Sequence, residues 1–482
     1  MKLDGILQNI KIIEKMNISA DLEITGISQN SNEISAGNLF VALRGGVNDG
    51  NNYVNDALAK GAAAILTDAR PSGSVPYILV EDARKAVGLA AGNFYGNKHR
   101  EMKIIAVIGT NGKTTTAHMI GAVLTAAGRR AAVIGTLGAS IVNKKIETDM
   151  TTPDPIIFHK LIRESWEAGV THFVYELSAH AIYWKKSEGV PADIAVFTNF
   201  SQDHLDFFKT MENYRAVKKS YFTRENVRFA IVNADDPLGL EIAREGNVLA
   251  TTYGLHNPSD SFAMDIEYDG TGSSALVNCC DDIFEIKTNF LGEFNMYNAL
   301  AALTAARAMS VDPETIRKGF RIMKPVSGRF NIYESTKRVV VDFAHTPDGL
   351  RNLLTAARGI CGGKLIAVFG CGGNRDAKKR SVMGKIAGEL ADFTVLTSDN
   401  SRDEEPDNII SQIEQGLRGV SKNYIKIAER ESAITYAILT AKPDDLIVIA
   451  GKGGEEYMEE RGIKRPYSDK KVVEEVFRRY NV

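Results

Sequence analysis

The stretch IIAVIGTNGKTTTAHMIGAVL, residues 104–124, places an apolar run, a glycine turn and a Lys-Thr-Thr triplet in immediate succession. That order predicts a buried strand, a tight loop and a helix over about 113–127. Gly109 and Gly112 let the backbone of Thr110 and Asn111 approach an anion, and the helix N-terminus favours negative charge. Lys113 can neutralise β/γ-phosphate charge, and Thr114 or Thr115 can hold Mg²⁺. Gly109 and Gly112 are two residues apart where the common phosphate loop has four, yet Gly, Lys and Thr fall where phosphate chemistry needs them. The expected ligand is ATP.

Two further stretches follow apolar runs: VYELSAH, with Glu176, Ser178 and His180, and TNFSQDHLDFFKTMENYRAVKKSYF, with Asp203, His204 and Lys218. In doubly wound sheets the residues just past the carboxyl ends of strands converge on the ligand crevice, so Glu176 and His204 can meet phosphates and metal. A lone strand-end carboxylate is more often a helix cap; two such stretches beside a phosphate loop favour the metal. GEFNMYNALAA sets Asn295 and Asn298 on one face of a helix start, and capping explains one of them better than the pair. VVVDFAHTPDGL puts Asp342 and His345 after a strand, where a turn role and a functional one are evenly matched.

The elements that must position these residues form three α/β alternations. A chain of 482 residues is too long for one ordinary core. GNLFVAL, AAAILT and PYILVE alternate with helical stretches and define a first domain over 1–98. KIIAVIG, AAVIGTLG, THFVYELS and DIAVFTNF, separated by helices, imply a doubly wound, largely parallel sheet in a second domain over 99–328, with an irregular β-rich stretch at 255–290. RVVVDFA, GKLIAVFG, ADFTVLTSD and DDLIVIAG begin a third, Rossmann-like alternation over 329–482. A net charge of −2 argues against a general nucleic-acid or anionic-membrane binder, so any anion must be met locally. Four cysteines without paired CxxC spacing argue against a disulfide framework and sulfur-bound metal. No apolar run reaches membrane-spanning length and the N-terminus lacks a leader pattern; the expectation is a soluble cytoplasmic protein.

Taken in order, GTNGKTTT, ELSAH, TNFSQDHLD, GEFNMYN, SGRF and VDFAHTPDGL resemble the Mur ligase family of peptidoglycan synthesis, and within it the type that extends UDP-MurNAc-L-Ala-D-Glu by a diamino acid. The resemblance covers essentially the whole chain. It implies an N-terminal domain for the UDP end, a central ATPase, and a C-terminal domain carrying the incoming amino acid. It also implies phosphorylation of the D-glutamate side-chain carboxylate by ATP, followed by attack of an amine on the acyl phosphate. Both steps are mainly positioning and charge neutralisation. By this resemblance Lys113 and the loop backbone hold ATP; Thr114, Thr115, Glu176, His204 and Lys218 serve Mg²⁺, with two ions expected; Asn295, Asn298, Arg329 and Asp342 contact the nucleotide. Lys218 falls where the family has a carbamylated lysine; by sequence alone it passes as a surface residue. Ser31 is placed for UDP, and Thr151, Thr152, Ser178 and Lys186 for the muropeptide. Asn32, Asn51 and Lys186 stand where arginine, histidine and arginine are usual, and lysine is the weaker bidentate partner. A monomer is the family expectation.

The third substrate is read from TSDNSRDEEP, residues 397–406. Family members that add meso-diaminopimelate carry Asp-Asn-Pro-Arg in this loop, whose arginine recognises the distal carboxylate. Here Asp399, Asn400 and Arg402 remain and Ser401 replaces proline. Arg402 keeps the forked donors that match a carboxylate, and an amino acid lacking that carboxylate leaves it unpaired. Arg375, Gly451 and Glu455 match family positions that hold diaminopimelate, with Glu455 placed for the distal ammonium and Gly454 replacing a common histidine. Asp403 belongs to the same loop; for Asp403 to Glu405 the expected role is loop solvation and capping of a helix beginning near Asp407. The expected substrate is meso-diaminopimelate. L-Lysine or another diamino acid such as lanthionine remains an alternative. So do a folylpolyglutamate synthase-like ligase, which needs no N-terminal α/β unit, and a nonenzymatic nucleotide-binding module, which would be expected to lose Lys113, Glu176 or Lys218.

Overall fold

The computed structural model describes residues 1–482 apart from Ala20 and Val47. The chain forms two compact units, Met1–Val107 with Gly128–Ala195 and Tyr221–Ala230, and Ile108–Ala127 with Val196–Ser220 and Ile231–Val482.

The first sheet has the strand order Ile12–Met16, Tyr77–Val80, Ala64–Thr67, Asn38–Ala42, Gly26–Ser28. Its three pairings beyond that of the antiparallel edge strand Ile12–Met16 are parallel. Alternation along the strands divides the side chains between two cores. Leu39, Val41, Leu66, Ile78 and Val80 pack with the helix Ala83–Phe94; Phe40, Ala42, Ile65, Tyr77 and Leu79 pack with Val54 and Ala57 of the helix Val54–Ala59.

The second sheet has eleven strands, in the order Asp282–Thr288, Ser273–Cys279, Ser261–Tyr268, Leu249–Gly254, Val227–Asn233, Ala192–Phe197, Lys103–Ile108, His172–Leu177, Ala131–Gly135, Gly138–Ile141, Lys144–Ile146. It is mixed rather than largely parallel. His172–Tyr175 pairs in parallel with Ala131–Ile134, but both margins are antiparallel hairpins. The irregular stretch expected at 255–290 supplies one margin, because its short polar turns reverse the chain directly where a parallel partner needs a crossover. The helix after the glycine loop runs Lys113–Ala126.

The third sheet has the order Asn331–Glu334, Arg338–Asp342, Leu446–Ala450, Leu365–Phe369, Phe393–Leu396, Tyr424–Lys426. All its pairings are parallel except that of Asn331–Glu334. Val339, Val341, Ile366, Val368, Ile447 and Ile449 face one core, while Val340, Leu365, Ala367, Phe369, Leu446 and Val448 face the other. Such doubly covered strands read as continuous apolar runs in the sequence. Leu446–Ala450 lies between Arg338–Asp342 and Leu365–Phe369, so the strand order reverses there. The loops after residues 342, 369, 396 and 450 therefore open at the carboxyl ends around a switch point, where open α/β sheets bind ligands.

Candidate active site

In the unit that contains the glycine loop, Lys113 curls back so that Nζ donates to the carbonyls of Gly109 (3.0 Å) and Thr110 (2.9 Å). Gly112 has φ +83°, and a Cβ there would lie 2.4 Å from Asn298 Oδ1, so only glycine fits this corner. Asn298 and Asn295 are buried rather than presented at a surface. Asn298 Oδ1 accepts from Thr116 Oγ1 (3.2 Å), its Nδ2 donates to Asn295 Oδ1 (3.0 Å), and Asn295 Nδ2 donates to the Leu291 carbonyl (2.8 Å). The pair braces the first turn of the helix Lys113–Ala126 from the helix Glu293–Ala308.

Segments distant in sequence reach the same loop. Arg329 Nη2 donates to Thr114 Oγ1 (3.0 Å) and its guanidinium lies over the Phe343 ring. Asn111 Nδ2 donates to Asp348 Oδ2 (3.1 Å), and Thr346 Oγ1 donates to Asn111 Oδ1 (3.3 Å). Thr110 Oγ1 is 3.1 Å from the Tyr214 hydroxyl, and Thr115 is buried. Asp342 spends both oxygens on backbone: Oδ2 accepts from Phe330 N and Oδ1 from Ala344 N, each at 2.7 Å. It thereby ties SGRF to FAHT and sets the position of Arg329; its burial raises the carboxyl pKa, against the Arg329 charge and those hydrogen bonds.

Lys218 departs most from its appearance in the sequence. It is 0% exposed, and its Nζ has no hydrogen-bond partner among the described residues. Burial, then the charge of Lys113, push its amine well below the ordinary lysine range, against the pull of Asp203 and Asp236. The helix Met211–Ser220 gives no sequence warning of this, because Lys218 and Lys219 are adjacent and only the tertiary packing separates them; Lys219 is paired with Glu241 and Glu245.

His204, at φ +56°, has Nε2 3.3 Å from Asp203 Oδ2. Asp203 also faces His345 Nε2 (3.5 Å) and the buried Lys379 (Nζ–Oδ1 3.4 Å). Burial would raise the Asp203 pKa, but Lys379, His345 and His204 hold it well below the usual carboxylate range. Lys379 carried no signal in GCGGNRDAKKR beyond being one of three consecutive basic residues.

In the other unit, Thr136 N donates to Glu176 Oε1 (2.9 Å) and Thr136 Oγ1 to Oε2 (3.2 Å). Thr151 Oγ1 is 3.1 Å from Thr136 Oγ1, Thr152 Oγ1 donates to the Glu176 carbonyl (2.8 Å), and Ser178 N donates to Thr152 Oγ1 (3.1 Å). The TTP and ELS stretches thus form one cluster. Lys186 Nζ lies 2.9 Å from Asp154 Oδ1, whose other oxygen accepts from Gln29 Nε2 (2.8 Å), linking the cluster to the ISQNS segment. Ser31 in that segment is buried beside Asp56, and Asn32 Oδ1 accepts from Lys60 Nζ (3.0 Å).

The loops of the third sheet form a dense polar network. Lys452 is fully buried and donates to Asn400 Oδ1 and Glu455 Oε2, both at 2.9 Å, with Asp399 Oδ1 at 3.9 Å. Burial raises the Asp399 pKa, but Lys452 and Arg430 bring it below its ordinary value. Arg430, also buried, is held by both oxygens of Asp469 at 2.8 Å and donates to the carbonyls of Ser398 and Ala450. It therefore clamps the starts of the two loops carrying Asp399 to Arg402 and Gly451 to Glu455. Gly451 has φ +118°, and a Cβ there would lie 2.6 Å from Asp399 Oδ2. Ser401 is buried; Arg375 is 49% exposed, with Nη1 4.0 Å from Asp206 Oδ2.

The acids after Arg402 are not simply loop solvation. Glu404 binds the buried Arg380 with both oxygens (2.7 and 2.8 Å), and Asp403 Oδ2 accepts from Asn374 Nδ2 (2.7 Å). The helix runs Pro406–Arg418; Glu405 stands at its N-cap but its side chain accepts from Arg461 instead of capping. Lys452, Glu459 and Arg430 escaped the sequence reading because each acts on a loop far from it in the chain.

Among the described residues no group of three or more His, Cys, Asp or Glu side chains forms a ready metal cage. This suits Mg²⁺, which keeps several waters and binds through a few protein oxygens plus phosphates. An orphaned buried amine beside Lys113 prepares this region for added negative charge.

A buried strand, a glycine corner, an inward lysine and loops from a second α/β sheet converging on them define a phosphate-handling ligase. The chain belongs to the Mur ligase family: the Mur ligase family catalytic domain matches residues 23–95, the Mur ligase middle domain 107–306, and the Mur ligase glutamate ligase domain 328–453. It is 40% identical over 454 residues to the UDP-N-acetylmuramoyl-L-alanyl-D-glutamate--2,6-diaminopimelate ligase of Aquifex aeolicus (strain VF5), covering 94% of this chain and 93% of that protein. It is 38% identical over 486 residues to the protein of the same name in Syntrophomonas wolfei, covering 99% of both. A solved structure of a UDP-N-acetylmuramoyl-L-alanyl-D-glutamate--2,6-diaminopimelate ligase superposes with a TM-score of 0.69 at 29% identity, covering 97% of this chain and 98% of that one.

Proposed function

We propose that this chain is an ATP-dependent ligase that joins meso-diaminopimelate to the D-glutamate side-chain carboxylate of UDP-MurNAc-L-Ala-D-Glu in cytoplasmic peptidoglycan precursor synthesis. The observation that carries the reading is the 40% identity to a ligase of that name across 94% of the chain. The match at residues 23–95 also speaks against a folylpolyglutamate synthase-like enzyme, which has no need of that unit. Lys113, Glu176 and Lys218 are all present, against a nonenzymatic module. No helix among the described residues is long and apolar enough to cross a membrane.

The γ-phosphoryl group passes from ATP to the glutamate carboxylate, releasing ADP. The amine of the third substrate then attacks the acyl carbon, expels inorganic phosphate and loses a proton. The loop from Gly109 to Thr115 holds the phosphates, with Arg329 adding positive charge at Thr114, and Asn295, Asn298 and Asp342 act by fixing that loop and Arg329. Mg²⁺, when bound, would neutralise phosphate charge; Thr114 or Thr115, His204 and Lys218 would hold it, and Glu176 would keep the metal role of its family position. Lys218 suits carbamylation physically: its depressed pKa favours the neutral, nucleophilic amine, attack on CO₂ forms an N–C bond with loss of a proton, and the product is an oxygen anion where the nitrogen has no hydrogen-bond partner among the described residues. Thr151, Thr152, Ser178 and Lys186 serve the muropeptide and Ser31 the UDP end. Arg402 reads the distal carboxylate of diaminopimelate, with Arg375, Asp399, Asn400, Ser401, Asp403, Gly451 and Glu455 forming the rest of that site.

The test is phosphate release with UDP-MurNAc-L-Ala-D-Glu and ATP against a panel of meso-diaminopimelate, L-lysine and lanthionine. Release with diaminopimelate is expected; strong release with L-lysine and none with diaminopimelate would refute the substrate assignment. No release with any amino acid would return the nonenzymatic reading.

A further inference from the structure

We infer that Glu459 sets how strongly the enzyme discriminates for a distal carboxylate, by pairing electrostatically with the Arg402 guanidinium that such a substrate needs. The inference rests on the reading of Arg402 given above. Arg402 Nη1 is committed to the carbonyls of Gly373 (2.8 Å) and Asn400 (3.4 Å). A carboxylate held bidentately takes two parallel N–H groups from one edge of the guanidinium. With Nη1 spent, that edge is Nε with Nη2, and Nη2 makes no hydrogen bond among the described residues. Glu459 Oε2 lies 3.2 Å from Nε as an ion pair, off the line of the Nε–H bond.

The position of Glu459 is fixed by main chain, independently of its carboxylate. Its N donates to Asn400 Oδ1 (2.9 Å), its carbonyl accepts from Arg402 N (3.1 Å), and Arg461 N donates to the Arg402 carbonyl (2.6 Å). The hairpin of Tyr457–Glu460 and Ile463–Pro466 is thereby latched to the loop that carries Arg402. The two side chains are 20% and 22% exposed, so the pair is weak enough to be exchanged. A diaminopimelate carboxylate must compete with Glu459 for the guanidinium charge. An amino acid without that carboxylate leaves the pair intact and meets no unpaired arginine. Glu459 thus lowers affinity for diaminopimelate and softens rejection of L-lysine.

Phosphate release with Glu459→Gln, an isosteric change that keeps the backbone latch, tests this. The KM for meso-diaminopimelate should fall about fivefold, the effect of removing one partly exposed competing ion pair, while kcat/KM for L-lysine falls. Mere structural damage would worsen both substrates together. Thermal melting of the variant checks its folding, and Glu459→Ala carries the same readouts if Gln is poorly accommodated. A diaminopimelate KM that is unchanged or raised, while Arg402→Ala remains defective, overturns the inference and leaves the Arg402 reading intact. If Arg402→Ala leaves that KM unaltered, the reading falls and the inference with it.

Discussion

The glycine-loop region and the loops of the third sheet handle charge in opposite ways. Beside the glycine loop the Lys218 amine is buried with no hydrogen-bond partner among the described residues, and burial holds its pKa well below the ordinary lysine range. Around Arg402 and Lys452 nearly every charge has an internal counterpart: Glu459 for Arg402, Glu455 and Asp399 for Lys452, Asp469 for Arg430. A site for a polyanion can be built as a deficit, because the ligand brings the missing charge. A site for a small zwitterion with charges of both signs needs a balanced network whose partners are exchanged on binding.

The sharpest way to break this contrast is Lys218→Met. It should lower kcat by about 10³, since the oxygen anion proposed at that position is lost, and bicarbonate should not restore it. In CO₂-free buffer it should nonetheless raise the melting temperature. Between its depressed folded pKa and the ordinary lysine value the unfolded chain holds a proton on this lysine that the folded chain does not, so burying it destabilises the protein in that window and stability rises with pH across it. A lower melting temperature would show that the region is not in deficit.

Asp399→Asn should do the reverse in the balanced region. It leaves Lys452 and Arg430 under-compensated and should cost about 3 kcal/mol of stability at pH 7, read by denaturant unfolding. Because the folded pKa of Asp399 is depressed, its contribution is complete above the ordinary aspartate value and is lost as pH falls through the folded one. The variant should therefore show a shallower acid-side decline below about pH 4.

Arg402→Ala should raise the KM for meso-diaminopimelate about tenfold to a hundredfold, as expected for a lost charged hydrogen bond, with little change in KM for ATP. Equal losses for both substrates would place Arg402 in general loop integrity rather than in recognition. The smallest effect is expected from Gly451→Ala, where strain at φ +118° and the approach to Asp399 should cost about 1 kcal/mol in unfolding experiments.

The contrast also governs what could be read without the structure. The glycine loop was legible because its chemistry is contiguous: strand, turn, lysine and helix start occupy neighbouring residues, and the helix Lys113–Ala126 falls where the pattern placed it. Apolar runs disclosed three α/β alternations, and doubly covered strands such as Leu446–Ala450 are apolar on both faces. The antiparallel margins of the second sheet were not legible as pairings, since register depends on which strand the chain meets. Nor were the roles of Glu404 and Lys452, whose partners Arg380 and Asn400 lie 24 and 52 residues away.

Residue types and their spacing by themselves determined the phosphate loop, the order of the α/β units and the arginine set apart in DNSR, because each is a local pattern that one stretch of chain can express. Tertiary structure alone decided which of two adjacent lysines is buried without a hydrogen-bond partner among the described residues, which carboxylate answers each cation, and that Arg402 already pairs with Glu459. Those are properties of solvent exclusion and distance, and they come into being only when segments far apart in the chain are packed together.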